Sequence, residues 1–351
     1  MPFKALINGE RCVHAKVSFA TCRACVDACP VNALQLDDEA LELDVELCSG
    51  CGRCQPACPW EALGLISDAG KAVLRATVDA DTHDAYLACG SVADKPAAQR
   101  GGAGVPAPCI DTFGERDILE LLGRGVRRLV VARDRCPHCQ GQGTRPFDLA
   151  VQRIGAMQAS RGQPPLRLLT IEGDHWVKRR ADVERRSAEL NQGLRRLFGL
   201  GRPAAGTRVG EEDHPRRDQY EHKGGSDGPL QRFVPEMNPA SCNGCDACTR
   251  VCPTGALVLE RMDGSLAYRI DARQCNGCGL CCDICEVGAI SVHEMTRAAT
   301  ARLMLEENRC RSCGVGFHVP SGHECGGLCR ICAMTAHQKS LFQVHGPDGK
   351  P

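Results

Sequence analysis

One spacing of residues recurs four times in this chain of 351 residues, and any fold must accommodate it. The copies are Phe19-x2-Cys22-x2-Cys25-x3-Cys29-Pro30-x2-Ala33-Leu34 and Cys48-x2-Cys51-x2-Cys54-x3-Cys58-Pro59-x2-Ala62-Leu63, followed much later by two more. These are Cys242-x2-Cys245-x2-Cys248-x3-Cys252-Pro253-x2-Ala256-Leu257 and Cys275-x2-Cys278-x2-Cys281-x3-Cys285-Glu286-x2-Ala289-Ile290. They pair off within residues 1–70 and 230–295. The N-terminal stretch has no apolar core or cleavage site of a secretion signal, and no run approaches the ~18 apolar residues of a membrane span. The expected location is the cytoplasm, where 26 cysteines point to metal rather than to disulfides.

Thiols at i, i+3 and i+6 let a tight loop wrap three corners of one [4Fe–4S] cluster. The fourth cysteine, set off by a longer gap and a proline, turns to the other cluster of the pair. Zinc sites usually come as two C-x2-C pairs, which the four runs are not. In these residues the chain resembles the bacterial 2[4Fe–4S] ferredoxin family twice over, like a polyferredoxin-like electron-transfer protein. The resemblance implies the pseudo-symmetric ferredoxin fold of hairpins and two short helices.

By position in that family, one C-terminal cluster takes Cys242, Cys245, Cys248 and Cys285, and the other Cys275, Cys278, Cys281 and Cys252. In the N-terminal unit, Cys48, Cys51, Cys54 and Cys29 form one set. Phe19 occupies a ligand position in the first run, and a phenyl ring cannot bind iron. Cys12, ten residues before Cys22, is the nearby thiol that can replace it. The set is then Cys12, Cys22, Cys25 and Cys58; the alternative is a three-iron or labile cluster with Cys12 free. Glu286 replaces the usual proline and removes no ligand.

Between the pairs, residues 78–200 alternate apolar runs with helical patterns, the mark of a small α/β domain on a parallel sheet. Strands are expected at Ala85–Cys89, Val105–Cys109, Leu129–Ala132 and Leu166–Ile171. Helices are expected at Glu115–Leu122, Phe147–Ala159 and His175–Leu200, the last burying Trp176, Val183, Leu190, Leu194 and Leu197 as a near-heptad stripe. Residues 201–229, rich in Gly, Pro and charge, read as a flexible linker.

Cys89, Cys109, Cys136 and Cys139 fall at or beyond strand ends, where α/β sheets bind ligands. Pro108-Cys109, Asp117–Gly125, the run 126–131 (VRRLVV) and Cys136-x2-Cys139 are similar to the delta subunit of methyl-viologen-reducing hydrogenases. That similarity implies a [2Fe–2S] cluster, although one of that family's closely spaced cysteine pairs is missing here. Zinc or simple buried thiols are the other readings of these four residues. Cys136-Pro137-His138-Cys139 also matches the active site of thiol–disulfide oxidoreductases, but Gly141, Gly143 and Pro146 prevent the helix such a motif opens.

The tail, residues 305–340, has Cys310-x2-Cys313 and Cys329-x2-Cys332 at zinc-ribbon spacing, with Gly314 and Gly326-Gly327 for the knuckle turns. Structural zinc is expected there, with His318, His323 and Cys325 as spare ligands. Cys282 and Cys325 remain unassigned.

The expected architecture is α+β and multidomain: two ferredoxin-like dicluster modules flank a parallel-sheet domain, with a zinc-ribbon-like tail. Lys+Arg and Asp+Glu balance at 43 each, which argues against a general nucleic-acid binder. No dinucleotide, phosphate-loop or H-E-x-x-H motif occurs, so no catalytic residue is assigned. The expected function is a non-catalytic electron carrier with four [4Fe–4S] clusters, serving a partner redox protein or oxidoreductase complex. The alternative is a redox-sensing or assembly factor for a metalloenzyme such as a formate dehydrogenase or hydrogenase.

Overall fold

The computed structural model describes residues 5–15, 17–36, 41–65, 78–79, 82–88, 92, 109–132, 145–179, 181–183, 185, 228–297 and 302–335. The chain forms two compact units, one over residues 1–18 and 22–223 and the other over residues 19–21 and 224–351.

In the first unit, β1 (Ala5–Ile7) pairs antiparallel with β4 (Leu63–Leu65), and β2 (Leu34–Leu36) with β3 (Leu41–Leu43). Two single-turn helices, α1 (Ala24–Asp27) and α2 (Cys54–Ala57), complete the module. Its core cluster is Leu34, Leu41, Leu63, Cys25 and Cys54, too small to hold so short a chain by apolar burial alone. Metal–ligand bonds are the natural supplement.

The same unit contains a four-stranded sheet in the order β5 (Val78–Asp79), β6 (Asp84–Ala88), β7 (Arg128–Ala132), β8 (Arg167–Ile171). β5 is antiparallel to β6, while β6, β7 and β8 are parallel, with Ala85 opposite Leu129 and Leu129 opposite Leu168. Successive side chains of a strand point to opposite faces, and both faces here are covered. Ala85, Leu87, Leu129 and Val131 pack under α3 (Glu115–Gly123) and α4 (Pro146–Ala159) with Ile118, Leu121, Phe147 and Ile154. Tyr86, Ala88, Val130 and Ala132 pack on the other face against Trp176 and Val183 of the helical residues 173–179 and 181–183. Burial on two faces explains the apolar runs of β6 and β7, whereas β8 at the sheet edge is largely exposed. Asp84 and Arg128, opposite each other in register, make a two-pronged ion pair at 2.8 and 2.6 Å.

The helix expected over 175–200 is described only as far as residue 185. The segment Val105–Pro108, Cys89, Cys136, Cys139 and linker residues 201–227 lie outside the described residues. Cys109 does not end a strand; it caps the 3-10 turn Ile110–Thr112, with its Sγ accepting from the Asp111 amide.

The N-terminal module packs on this α/β domain. Arg53, beside α2, donates to the fully buried Asp111 at 2.8 Å, and Arg145 approaches the same carboxylate. Arg116 pairs with Glu61. A Cβ on Gly114 would lie 2.6 Å from Pro56 Cβ, so the two backbones meet there without a side chain between them.

In the second unit, β9 (Leu230–Met237) pairs with β12 (Ile290–Arg297), and a second sheet runs β10 (Leu257–Met262), β11 (Ser265–Ile270), β13 (Arg302–Arg309), β14 (Gly316–Pro320), all antiparallel. Short helices α5 (Ala247–Val251), α6 (Leu280–Asp283) and α7 (Arg330–Met334) carry cysteines. The residues expected to separate module from tail, between 295 and 305, are bridged by this sheet: Leu305 of β13 lies opposite Leu266 of β11. Among the described residues, no helix is long and apolar enough to cross a membrane.

Leu129 is fully buried in the middle of the parallel sheet. Leu129→Ala should destabilise that sheet by about 2–5 kcal/mol. The check is faster hydrogen exchange of the β6 and β7 amides, with the visible absorption of the protein unchanged.

Candidate metal centres

Three of the four cysteine runs end in the same small device. Ala33 donates its N–H to Cys29 Sγ at 3.2 Å, Ala62 to Cys58 at 3.4 Å, and Ala289 to Cys285 at 3.2 Å. These alanines, together with Ala256, are at most 5% exposed, which leaves no space for a larger side chain. The next residue, Leu34, Leu63, Leu257 or Ile290, is buried and opens β2, β4, β10 or β12. The alanine so directs the fourth cysteine of a run while the following residue anchors the strand. Cys285 keeps this bond although Glu286 stands where the other runs have proline; Glu286 faces outward and pairs with Arg330 at 3.5 Å.

Two open cavities lie against these cysteines. One is lined by Cys242, Cys245, Cys248 and Cys285 with Tyr268 and Ile290. The other is lined by Cys48, Cys51, Cys54 and Cys29 with Leu34 and Leu43. In each, three thiols of one run meet the fourth thiol of its partner run.

Electrostatics also couple these thiols to one another. Burial and then the thiols of Cys242, Cys245 and Cys285 push the Cys248 thiol up to about 12. Burial and the thiols of Cys51, Cys25 and Cys29 do the same to Cys54, also to about 12. Cys278 is pushed up to about 11 by burial, with Cys275 and Cys252 as its thiol neighbours. Thiols buried this close together cannot all ionise without a compensating cation. Thiolates are the ligands iron–sulfur clusters take, so the donor sets fit them.

Cys12 belongs to the fourth grouping. It lies between the 3-10 turns Gly9–Arg11 and Val13–Ala15, and packs with the cysteine core of the module. His14 donates from Nε2 to the Cys22 carbonyl at 2.8 Å, which ties these turns to the first cysteine loop. Burial and then the thiols of Cys58, Cys22 and Cys12 push Cys25 up to about 12. Phe19 is 46% exposed.

In the α/β domain, Cys109 is buried, and both it and Cys51 act electrostatically on Arg53. In the tail, Cys310, Cys313, Cys329 and Cys332 converge, whereas His318, one of the spare ligands, does not join them. Its Nε2–H donates to Asp246 at 2.8 Å, and the Tyr268 hydroxyl donates to the same carboxylate oxygen at 2.6 Å. Cys282 packs with the core beside Cys281. The Asp246–Tyr268–His318 contact was not legible in the sequence, because its members are far apart in the chain and belong to no motif.

Tight loops place the ligand cysteines. Gly277 has φ +75°, and a Cβ there would lie 2.5 Å from the Phe233 ring, which the Arg232 guanidinium covers at 4.3 Å. Gly277→Ala therefore strains the Cys275–Cys278 loop twice over. It should remove about four of the iron atoms bound per chain, as measured by iron analysis after anaerobic purification. An undiminished iron content would mean that the loop tolerates a side chain.

Known proteins share the cysteine-rich stretches. The 4Fe-4S dicluster domain family matches residues 20–62, and the 4Fe-4S binding domain family matches residues 234–257. Among similar proteins, a tetrathionate reductase subunit of Archaeoglobus fulgidus is 55% identical over 40 residues, 11% of this chain and 19% of that protein. Hydrogenase-4 component A of Escherichia coli is 37% identical over 70 residues, 20% of this chain and 31% of that protein. A ferredoxin of Streptomyces griseus is 37% identical over 41 residues, 12% of this chain and 39% of that protein. The chain thus spans well under half the length of each of these three relatives. Carrying 4Fe-4S ferredoxin-type domains in two separate stretches, it is a ferredoxin-like iron–sulfur protein.

Proposed function

We propose that the chain is an electron carrier that holds four [4Fe–4S] clusters and relays single electrons to or from a partner oxidoreductase. The ligand sets are Cys12, Cys22, Cys25 and Cys58; Cys29, Cys48, Cys51 and Cys54; Cys242, Cys245, Cys248 and Cys285; and Cys252, Cys275, Cys278 and Cys281. The observation that carries this reading is the meeting of three thiols from one run with the fourth thiol of its partner, seen at the cavities of both units.

Bound clusters supply one-electron chemistry; their potentials follow hydrogen bonding to sulfur and exposure to solvent. Both levers are visible in this chain's residues. The amides of Ala33, Ala62 and Ala289 donate to cysteine sulfur. Buried Leu34 and Ile290 line the two cavities. No acid, base or nucleophile beside the cavities is needed for such a role.

An oxidoreductase partner is supported by the relatives, which include a reductase subunit and a hydrogenase component by name. The α/β domain is read as the neighbour that receives or supplies the N-terminal module's electrons. Arg53 beside the cysteine helix of that module is paired with buried Asp111 of the domain, which supports that reading. Whether a [2Fe–2S] cluster or zinc occupies Cys89, Cys109, Cys136 and Cys139 is a question for metal analysis of that domain.

Anaerobically purified protein should contain about sixteen iron atoms from four cubanes, and a low-potential reductant should bleach its absorption near ~400 nm with no small-molecule substrate present. Iron near eight would leave one module without clusters and overturn the count. Cys12→Ala should convert one cluster to a three-iron form, seen as a new EPR signal of the oxidised protein. An unchanged spectrum would remove Cys12 from the ligands.

A further inference from the structure

The tail cysteines form a site of their own. Cys310 directly follows β13, Cys313 lies in the turn to β14, and Cys329 and Cys332 sit at the start and middle of α7. Their four Sγ atoms all lie within 4.8 Å of one another, and Cys313 and Cys329 are 3.8 Å apart. Four sulfurs held tetrahedrally at the zinc–sulfur distance of ~2.3 Å are about 3.8 Å from each other. Cys310, Cys329 and Cys332 are buried, and only Phe317 and Leu328 pack with them. So small an apolar group cannot order this segment by itself.

The backbone is shaped for metal. Gly314, Gly326 and Gly327 take positive φ at the two turns, and the Cys329 amide donates to Cys310 Sγ at 3.3 Å. Arg311 stitches one turn to the other, with its N–H on the Gly327 carbonyl at 2.9 Å and its guanidinium on the Gly326 carbonyl.

What this site holds in place is β14. Arg309 and Gly316 are opposite each other where β13 turns toward β14 beside Cys310. Two residues on, His318 lies against the loop that carries Cys242, Cys245 and Cys248. A Cβ on Gly244 would meet the His318 carbonyl, so β14 rests directly on the loop backbone. His318 and Tyr268 both donate to Asp246, which lines the same cavity as Cys242, Cys245, Cys248 and Cys285.

We propose that Cys310, Cys313, Cys329 and Cys332 bind one structural zinc ion, and that this ion holds β14 and His318 as a brace over the Cys242–Cys248 loop. On binding, the four thiols give up four protons and the site carries a net charge of −2. The ion is redox-silent and adds no step to electron transfer. Its bracing role, unlike the zinc site itself, rests on the reading that the neighbouring cavity holds a cluster.

The test uses the full-length chain purified anaerobically. Metal analysis should find about one zinc per chain, and zinc-edge X-ray absorption should find four sulfur ligands at about 2.3 Å. Iron in place of zinc at these sulfurs, or nitrogen or oxygen ligands on the zinc, would overturn the site whatever the other cysteines bind. Cys313→Ser with Cys332→Ser should lose the zinc, and one cluster should then surrender its iron to a chelator several-fold faster. His318→Ala should keep the zinc and show the same faster loss, which separates bracing from general misfolding. Unchanged iron release in both variants would overturn the brace and leave the zinc site standing. A wild-type chain with zinc but no iron at the C-terminal module would instead overturn the electron-carrier reading there.

Discussion

Buried thiols are tolerable as ligands and costly as neighbours, and the architecture of both cysteine modules follows from that. At each cavity, three thiols of one run and the fourth of its partner run are gathered in a partly buried site. Without a cation they suppress one another's ionisation, as at Cys25, Cys54 and Cys248, each pushed up to about 12 by burial and by its neighbours. With iron bound, the same crowding becomes coordination. The strands around the sites are short and the apolar groups few, so the metal is a structural element of these modules as well as a redox one.

The repeat reaches beyond its cysteines. In three of the four runs the alanine four residues after the last cysteine gives its amide to that sulfur, and its small side chain lets the next strand begin directly against the site. A larger residue there would have to displace either the strand or the sulfur. The first run departs from its sisters at Phe19, where the thiol is missing, and also at Thr21, where the other runs carry Gly50, Gly244 and Gly277. Both changes fall on the half-loop that Cys12, carried on its own pair of 3-10 turns, would relieve of its ligand.

The α/β domain is stabilised differently, by apolar side chains on both faces of a parallel sheet and by the register-matched pair Asp84 and Arg128. Its junction with the N-terminal module depends on Asp111, a fully buried carboxylate held by Arg53. Losing one partner of such a pair leaves an uncompensated buried charge, at a cost of about 3–5 kcal/mol. The junction therefore ties the integrity of the domain to the loop that carries Cys51.

Much of this was legible in the chain as written. The fixed spacing of the cysteine runs determined which thiols share a loop, because ligand geometry is local at three-residue separations. Apolar runs marked β6 and β7, since the middle strands of a sheet covered on both faces are mostly apolar. The knuckle glycines of the tail were visible for the same local reason. Tertiary structure decided what depends on distant residues meeting. It carried β13 onto β11, so that the tail continues the sheet of its neighbour, and it brought His318 to Asp246 and Arg53 to Asp111. Such pairs have no periodicity and no motif; they arise when packed elements bring two polar groups out of water together, and each must then satisfy the other.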